Sequence, residues 1–414
     1  MLHPEPYDDP EVWLARLTDH LKAHRYSRCA RNYESAARRF FDYLQSEGLT
    51  VRTVLPCHVH KHLRALRRQR KACRPAGLSS SWRKLNRSAI HVLLRLVHGK
   101  WPLDPVPRTG QELFHQEVVK EYRGWMRDLR GLSKATQHNR CVEALRFLAW
   151  LGERGSREKL STLTVVDVDA YVRWRVSSLR RSSKKMLTVN LRSFLRHLYG
   201  YGKIRDLASV VVTPKLYALE DIPSALRSEE IEKVLQSVGE DRSPVGLRDC
   251  AILTLLATYG LRAGEITALR LEDIDWSHDR LRILHSKTGV HSELPLLPVV
   301  GEAILDYLRE GRPQSSHREI FLCTKAPYRP IPEGSNLYQQ LVNRMKAAGV
   351  TPKGKKGPHA YRHAKAASLL RSAVPLKVIG DVLGHRATQS TMSYLKLDVE
   401  ELRRVALEIP GVQP

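Results

Sequence analysis

Apolar positions recur at spacings of three and four from Val12 to about Gly48: Trp13, Leu14, Leu17 and Leu21, then Tyr33, Ala37, Phe40, Phe41 and Leu44. A stripe of that period runs along one face of a helix, so the stretch predicts a helix pair with a buried side. Residues 116–155 repeat the scheme with Val118, Val119, Tyr122 and Met126, followed by Leu145, Phe147, Leu148, Trp150 and Leu151. Setting Asn32 on Asn139 brings Ala37 onto Ala144, Arg39 onto Arg146, Phe40 onto Phe147, Tyr43 onto Trp150, Leu44 onto Leu151 and Gly48 onto Gly155, without a gap. This suggests one four-helix module used twice, although amphipathic bundles also resemble one another by composition alone.

Beyond these modules the pattern changes. Residues 211–226 carry Pro214 and Pro223 and no helical period, which reads as a linker. Ser228, followed by Glu229 and Glu230, reads as the cap of a helix through Ile231, Val234 and Leu235. Arg248 to Tyr259 is almost wholly apolar and predicts a buried helix. Alternation around Leu281, Ile283 and Leu284, and again around Leu294, Leu296 and Leu297, predicts two strands joined by a hairpin loop over 286–292. Pro358 opens a further helix whose buried face is expected to be Ala366, Leu369, Leu370 and Ala373, and a shorter apolar helix follows through Val378, Ile379, Val382 and Leu383.

Composition adds the partner. The chain has 414 residues, enough for two or three domains, and is 42% hydrophobic. Its 69 Lys and Arg against 43 Asp and Glu give a net charge of +26, an excess that favours a polyanion because each neutralised phosphate releases counterions. No apolar run approaches the roughly 18 residues needed to span a bilayer, and the acidic, proline-rich start lacks the order of a secretion signal, so no membrane partner and a cytoplasmic location are expected. Six scattered cysteines without a CxxC pair read as free thiols. Cys57-His-Val-His-Lys-His62 with Cys73 fits no standard zinc spacing; a histidine-rich basic helix facing solvent or DNA is the simpler reading, and no metal is expected.

Two basic runs extend the charge argument: Arg64 to Lys71, containing Arg67 and Arg68, and Arg180 to Lys185, containing Arg180, Arg181, Lys184 and Lys185. Such runs are ordinarily solvated helix faces. Here both lie beside serines at expected helix starts, where N–H groups and hydroxyls also bind phosphate, which makes them candidate contacts to a DNA backbone.

The candidate chemistry lies in the last third. Arg262 sits in Tyr-Gly-Leu-Arg-Ala-Gly-Glu at the end of the apolar helix, with Glu265 as a potential salt-bridge partner; Lys287 sits in the hairpin loop; His359 and Arg362 are one turn apart at a helix start; His385 follows Gly384; Tyr394 is nine positions further on. Each has an ordinary explanation when taken singly. Together, two permanently charged planar guanidiniums could bracket a phosphate, a tyrosine hydroxyl could attack it in line, and a lysine could protonate the leaving oxygen. No carboxylate cluster or Walker loop accompanies them, so a covalent route without metal or other cofactor is the economical one.

These motifs resemble those of the tyrosine recombinase/integrase family: Arg262 in Gly-Leu-Arg-Ala-Gly-Glu, Lys287 in the hairpin, His359 and Arg362 in His-x-x-Arg-His, His385 in Leu-Gly-His, and Tyr394 at the family's spacing. The match covers about residues 225–400, and 110–205 more weakly. The resemblance implies that Tyr394 forms a 3′-phosphotyrosyl link, that Arg262 and Arg362 bind the phosphate, that Lys287 is the general acid, that His359 assists proton transfer and that His385 hydrogen-bonds the phosphate, with Glu265 and His363 in support. It also implies specific sites on double-stranded DNA, a homotetramer on two duplexes, exchange of a C-terminal helix (here Val399 to Leu407), a role for a mobile genetic element, and accessory proteins in some systems.

The implied architecture is mainly α: two helical DNA-binding modules followed by a mixed α+β catalytic domain with a small antiparallel sheet or hairpin. The expected boundaries are 1–107 for an N-terminal module that duplicates the next, 108–212 for a core-binding domain, 213–226 for a linker and 227–414 for the catalytic domain. Tyr361 departs from the family, which more often has leucine there, and Val290-His291 replaces a position often basic. The alternatives are a type IB topoisomerase-like enzyme, which shares the chemistry, and a non-catalytic architectural DNA-binding protein.

Overall fold

The computed structural model describes residues 9–24, 26, 30–73, 80–103, 107–177, 179–215, 225–285, 289–332, 337–352, 354, 356–384 and 391–392. The chain divides into two compact units, one formed by 1–103 together with 221–414 and the other by 104–220.

The described residues of 1–103 form four helices, α1 (Pro10–Ala23), α2 (Ala30–Ser46), α3 (Pro56–Cys73) and α4 (Ser80–His98). Asp9 caps α1 by accepting from the Glu11 N–H at 2.9 Å, and Pro10 occupies the first turn, where a missing donor is harmless. The apolar stripe turns inward as its period requires: Leu17, Leu21, Phe40, Ile90 and Leu93 form a closed core. His62 belongs to that interior, against the rings of Phe40 and Tyr43, and not to the solvent face expected of the histidine run; His60 is exposed.

Residues 104–220 form a second four-helix unit, α5 (Gly110–Asp128), α6 (Lys134–Leu151), α7 (Val165–Val176) and α8 (Arg181–Gly200), around Tyr122, Phe147, Tyr171 and Phe194. The aligned pairs Ala37/Ala144, Phe40/Phe147 and Leu44/Leu151 are buried in both units, and Tyr43 and Trp150 are half-buried in both. Leu145, assigned to the stripe from the sequence, is on the exposed face.

The basic runs are not equivalent in position. Arg67 and Arg68 are exposed in the second half of α3, within a helix and not at its start, whereas Arg180 precedes α8 and Arg181 opens it. Arg180 and Arg181 are exposed, Lys184 and Lys185 half-buried, and Arg181 donates to the Lys215 carbonyl at 2.9 Å.

Residues 225–384 carry α9 (Ser228–Gly239), α10 (Pro244–Tyr259), the short α11 (Ala263–Ala268), strands β1 (Ile274–Asp275), β2 (Arg280–His285) and β3 (Val290–Pro295), then α12 (Pro298–Asp306), α13 (Tyr338–Ala347), α14 (Pro358–Arg371) and α15 (Leu376–Val382). The cap of α9 is Arg227, one residue before the expected Ser228, with Glu230 accepting from its N–H at 2.9 Å. α10 is buried nearly all round, and a network of paired charges, buried Arg248 with Asp249 and half-buried Arg344 with Asp249 and Asp241, ties it to α13.

The sheet is antiparallel in the order β1-β2-β3, one strand more than the hairpin expected, with Leu281 opposite Leu294 and His285 opposite Val290. Val290, His291 and Ser292, read from the sequence as loop, begin β3. Alternation along β2 sends Leu281, Ile283 and His285 inward, while Leu284 points out. The buried side of α14 also differs from expectation. It consists of Ala360, Tyr361, Arg362, Ala364, Ala366 and Ala367; Leu369 and Leu370 are half-buried on a small cluster with Ile379 and Leu383, and Ala373 lies past the helix end with positive φ. No described helix is long and apolar enough to cross a membrane.

Candidate active site

α10 stops at Gly260, which adopts a left-handed conformation at φ 66° and so turns the chain toward Arg262 at the head of α11. Glu265, one turn into α11, reaches back to accept from the Arg262 N–H at 2.8 Å and from its Nη1 at 2.6 Å. The local sequence Arg-x-x-Glu thus forms a capping box and an ion pair at once, and it fixes the guanidinium. Nη2 of Arg262 donates to the Gly384 carbonyl at 3.3 Å.

Arg362 approaches from α14. It is 3% exposed, and its Nη1 donates to the Gly260 carbonyl at 2.9 Å while Nη2 makes a short bond to the Leu383 carbonyl. Both arginines therefore bind the turn after α15, and Arg362 also closes the end of α10. Leu261, Arg262, Ala263, Pro358, His359 and Arg362 line a single cleft. His359, one turn before Arg362, is exposed at this cleft; His363 is half-buried, its ring 6.3 Å from that of His359.

Beneath Arg262 lies a residue that the motif reading missed. His285, at the end of β2, is fully buried; its Nδ1 is 2.8 Å from Oε1 of Glu265 and its Nε2 is 2.9 Å from Oγ of Ser292. The carboxylate only accepts, so Nδ1–H donates to it, and the serine hydroxyl can serve Nε2 in either sense. Burial alone would raise the Glu265 carboxyl, but hydrogen bonds from His285 and from the Arg262 amide and guanidinium outweigh it and hold the group below the usual carboxylate range. The available signal was alternation: Leu281, Ile283 and His285 fall on one strand face, and a histidine in line with two core residues needs polar partners.

Lys287, His385 and Tyr394 lie outside the described residues, as does the segment 399–407. Their chain neighbours His285 and Gly384 are described, and both touch Arg262 or its carboxylate partner. What the described residues offer is a fixed positive cleft with an imidazole at its rim, suited to an anionic group such as a phosphodiester. Among the described residues, no group of three or more His, Cys, Asp or Glu is arranged to hold a metal ion.

Residues 224–401 match the model of the phage integrase family. Over 192 residues the chain is 54% identical to the integrase/recombinase y4gC of Sinorhizobium fredii (strain NBRC 101917 / NGR234), covering 46% of this chain and 98% of that one. The chain is 29% identical over 301 residues to the tyrosine recombinase XerC of Rhodospirillum centenum (strain ATCC 51521 / SW), covering 70% of this chain and 85% of that one. Among solved structures, a lambda integrase dimer bound to a COC' core site shares the fold with a TM-score of 0.52 at 19% identity, over 72% of this chain and 99% of that one. With a positive cleft built by the very stretch that the family model covers, the chain belongs to the phage integrase family of tyrosine recombinases, enzymes of site-specific DNA recombination.

Proposed function

We propose that this recombinase cuts and rejoins DNA through a 3′-phosphotyrosyl intermediate on Tyr394, in the service of a mobile genetic element. The observation that carries this reading is the convergence of Arg262, Arg362 and His359 on one cleft, with Arg362 and Arg262 bonded to the carbonyls of Leu383 and Gly384, respectively, just before His385. In the proposed reaction the Tyr394 hydroxyl oxygen attacks phosphorus and the bond from phosphorus to the 5′ oxygen breaks. Lys287 gives that oxygen a proton, while His359 takes up the tyrosine proton. Arg262 and Arg362 offset the negative charge gathering on the non-bridging oxygens, and His385 donates a hydrogen bond to one of them. Attack on the phosphotyrosine by the 5′-hydroxyl of another strand reverses each step, so the phosphodiester is rebuilt without ATP.

Residues 1–107 are proposed as a second DNA-binding module ahead of a core-binding domain at 108–212, a linker at 213–226 and a catalytic domain at 227–414. The matched burial of Ala37/Ala144, Phe40/Phe147 and Leu44/Leu151 supports the duplication. Exposed Arg67, Arg68, Arg180 and Arg181, with Lys184 and Lys185 beside them, are proposed to meet the DNA backbone. By likeness to the DNA-bound lambda integrase dimer, several copies are proposed to assemble on DNA, four on two duplexes, with the segment after Tyr394 passing between neighbours.

The test uses duplexes that the full chain selects from a randomised pool, rebuilt with a nick near the cleavage point so that the cut strand cannot rejoin. The wild type is expected to form a denaturation-resistant protein–DNA adduct and Tyr394→Phe none. An adduct that persists in the variant removes Tyr394 as the nucleophile.

A further inference from the structure

We infer that His285 is a positioning residue for strand cleavage: a buried imidazole that locks Glu265, and through it Arg262, to the root of the hairpin that carries Lys287 and to the turn that leads into His385. The inference rests on the reading of those three residues as members of the active site.

Three observations carry it. The first is the difference between His285 and the buried histidines His62 and His197; a fourth, His115, brings its Nε2 to the Gly155 carbonyl at 2.8 Å. His62 and His197 sit among aromatic rings, and His62 Nε2 and both His197 ring nitrogens have no hydrogen-bond partner among the described residues, which is how a histidine used for packing looks. His285 has both nitrogens engaged, one by a carboxylate and one by a hydroxyl. The second is what that carboxylate does: Glu265 takes the Arg262 N–H, the Arg262 guanidinium and the imidazole. Without the imidazole, Glu265 keeps its charge in a dry site with one donor fewer, and its remaining hold on Arg262 must adjust.

The third is the contact with Gly384. A Cβ built there would lie 2.4 Å from Cε1 and 2.5 Å from Nδ1 of His285, so the ring occupies the space that any side chain at 384 would need. Gly384 in turn gives its carbonyl to Arg262 and precedes His385. On the other side Lys287 follows His285 by two residues in the sequence. One side chain thus touches both the carboxylate that holds Arg262 and the glycine that precedes His385.

The full chain and two variants would be assayed on the nicked duplexes, with DNA affinity, melting temperature and adduct rate measured for each. His285→Phe fills the space without hydrogen bonds, whereas His285→Gln can present an amide N–H to Glu265 and a carbonyl to Ser292. With affinity unchanged, the adduct rate of His285→Phe is expected to fall about 10–100-fold, the usual consequence of a displacement near 1 Å at reacting groups, and His285→Gln to recover most of it. A 5′-bridging sulfur leaving group, which departs without a proton, is expected to recover the part of the loss that comes from a misplaced Lys287. A wild-type rate in His285→Phe overturns the inference, as does an equal loss in a folded His285→Gln. If His285→Phe does not fold, Ser292→Ala replaces it: a severalfold slower adduct supports the inference and an unchanged rate overturns it. Wild-type protein that forms no adduct overturns the reading of Tyr394 itself, and this inference with it.

Discussion

Nη1 of Arg362 donates to the carbonyl oxygen of Gly260 at 2.9 Å, joining positions 102 residues apart. With its second bond to the Leu383 carbonyl, the guanidinium holds the end of α10 and the turn after α15 in one grip. Removing it strands two carbonyls in a site closed to water. Arg362→Ala is therefore expected to cost about 2–4 kcal/mol in the catalytic domain, read by denaturant or thermal unfolding. Arg362→Lys keeps the charge but lacks the planar fork, and should recover less than half of that.

Gly384 has φ +63°, and a side chain there would collide with His285. Gly384→Ala combines left-handed strain with that clash, so it is expected to lower the melting temperature and to abolish adduct formation while DNA affinity persists. Gly48, also left-handed but with nothing within 4 Å of its Cβ position, is the control: Gly48→Ala should show the strain alone, about 1 kcal/mol.

Glu265 contributes a pH dependence of known sign. Its folded pKa lies below its unfolded value of about 4.5, so its stabilisation is complete above that value and is lost as pH falls through the folded pKa. Glu265→Gln is expected to be less stable than wild type at pH 7, with the gap closing in acid. Its adduct rate at pH 7 should fall about 100-fold, because Arg262 loses its ionic anchor.

The two packing histidines act in a different window. Burial pushes His62 down to about 4, helped by the charge of Arg39, and burial pushes His197 to about 4 as well. The unfolded chain protonates both near pH 6.5 while the folded chain resists, so stability falls from pH 6.5 to about 4 and no further below it on their account. Thermal melts of wild type and of a His62→Phe/His197→Phe double variant over that range check this; the variant's melting temperature should fall less steeply with acid.

Helices and their buried faces were legible from spacing, because a period near 3.6 leaves few choices for Leu17, Phe40 or Phe147 once a core must be covered. Individual burial was less so. Leu145 is apolar yet exposed and His62 polar yet buried, since neighbours from other helices decide which edge of a stripe is covered, whereas Leu284 is exposed because strand alternation turns it outward. At the site, Arg262 with Glu265 is a local pairing three residues apart, and Glu265 was already visible in the sequence as its potential partner. The burial of Arg362 and the grip of His285 on Glu265 depend on contacts across 20 to 102 residues, which no local pattern encodes. Strand alternation alone could have marked His285 as inward-facing.

In the proposed mechanism Tyr394 carries the DNA on its hydroxyl through a 3′ phosphate. Adduct from the nicked duplex, digested with protease and nuclease and sequenced by mass spectrometry, tests it most directly. The expected product is a nucleotide joined through its 3′ phosphate to the peptide containing Tyr394, with a free 5′-hydroxyl on the released strand; a linkage through a 5′ phosphate, or to any other residue, rules the mechanism out.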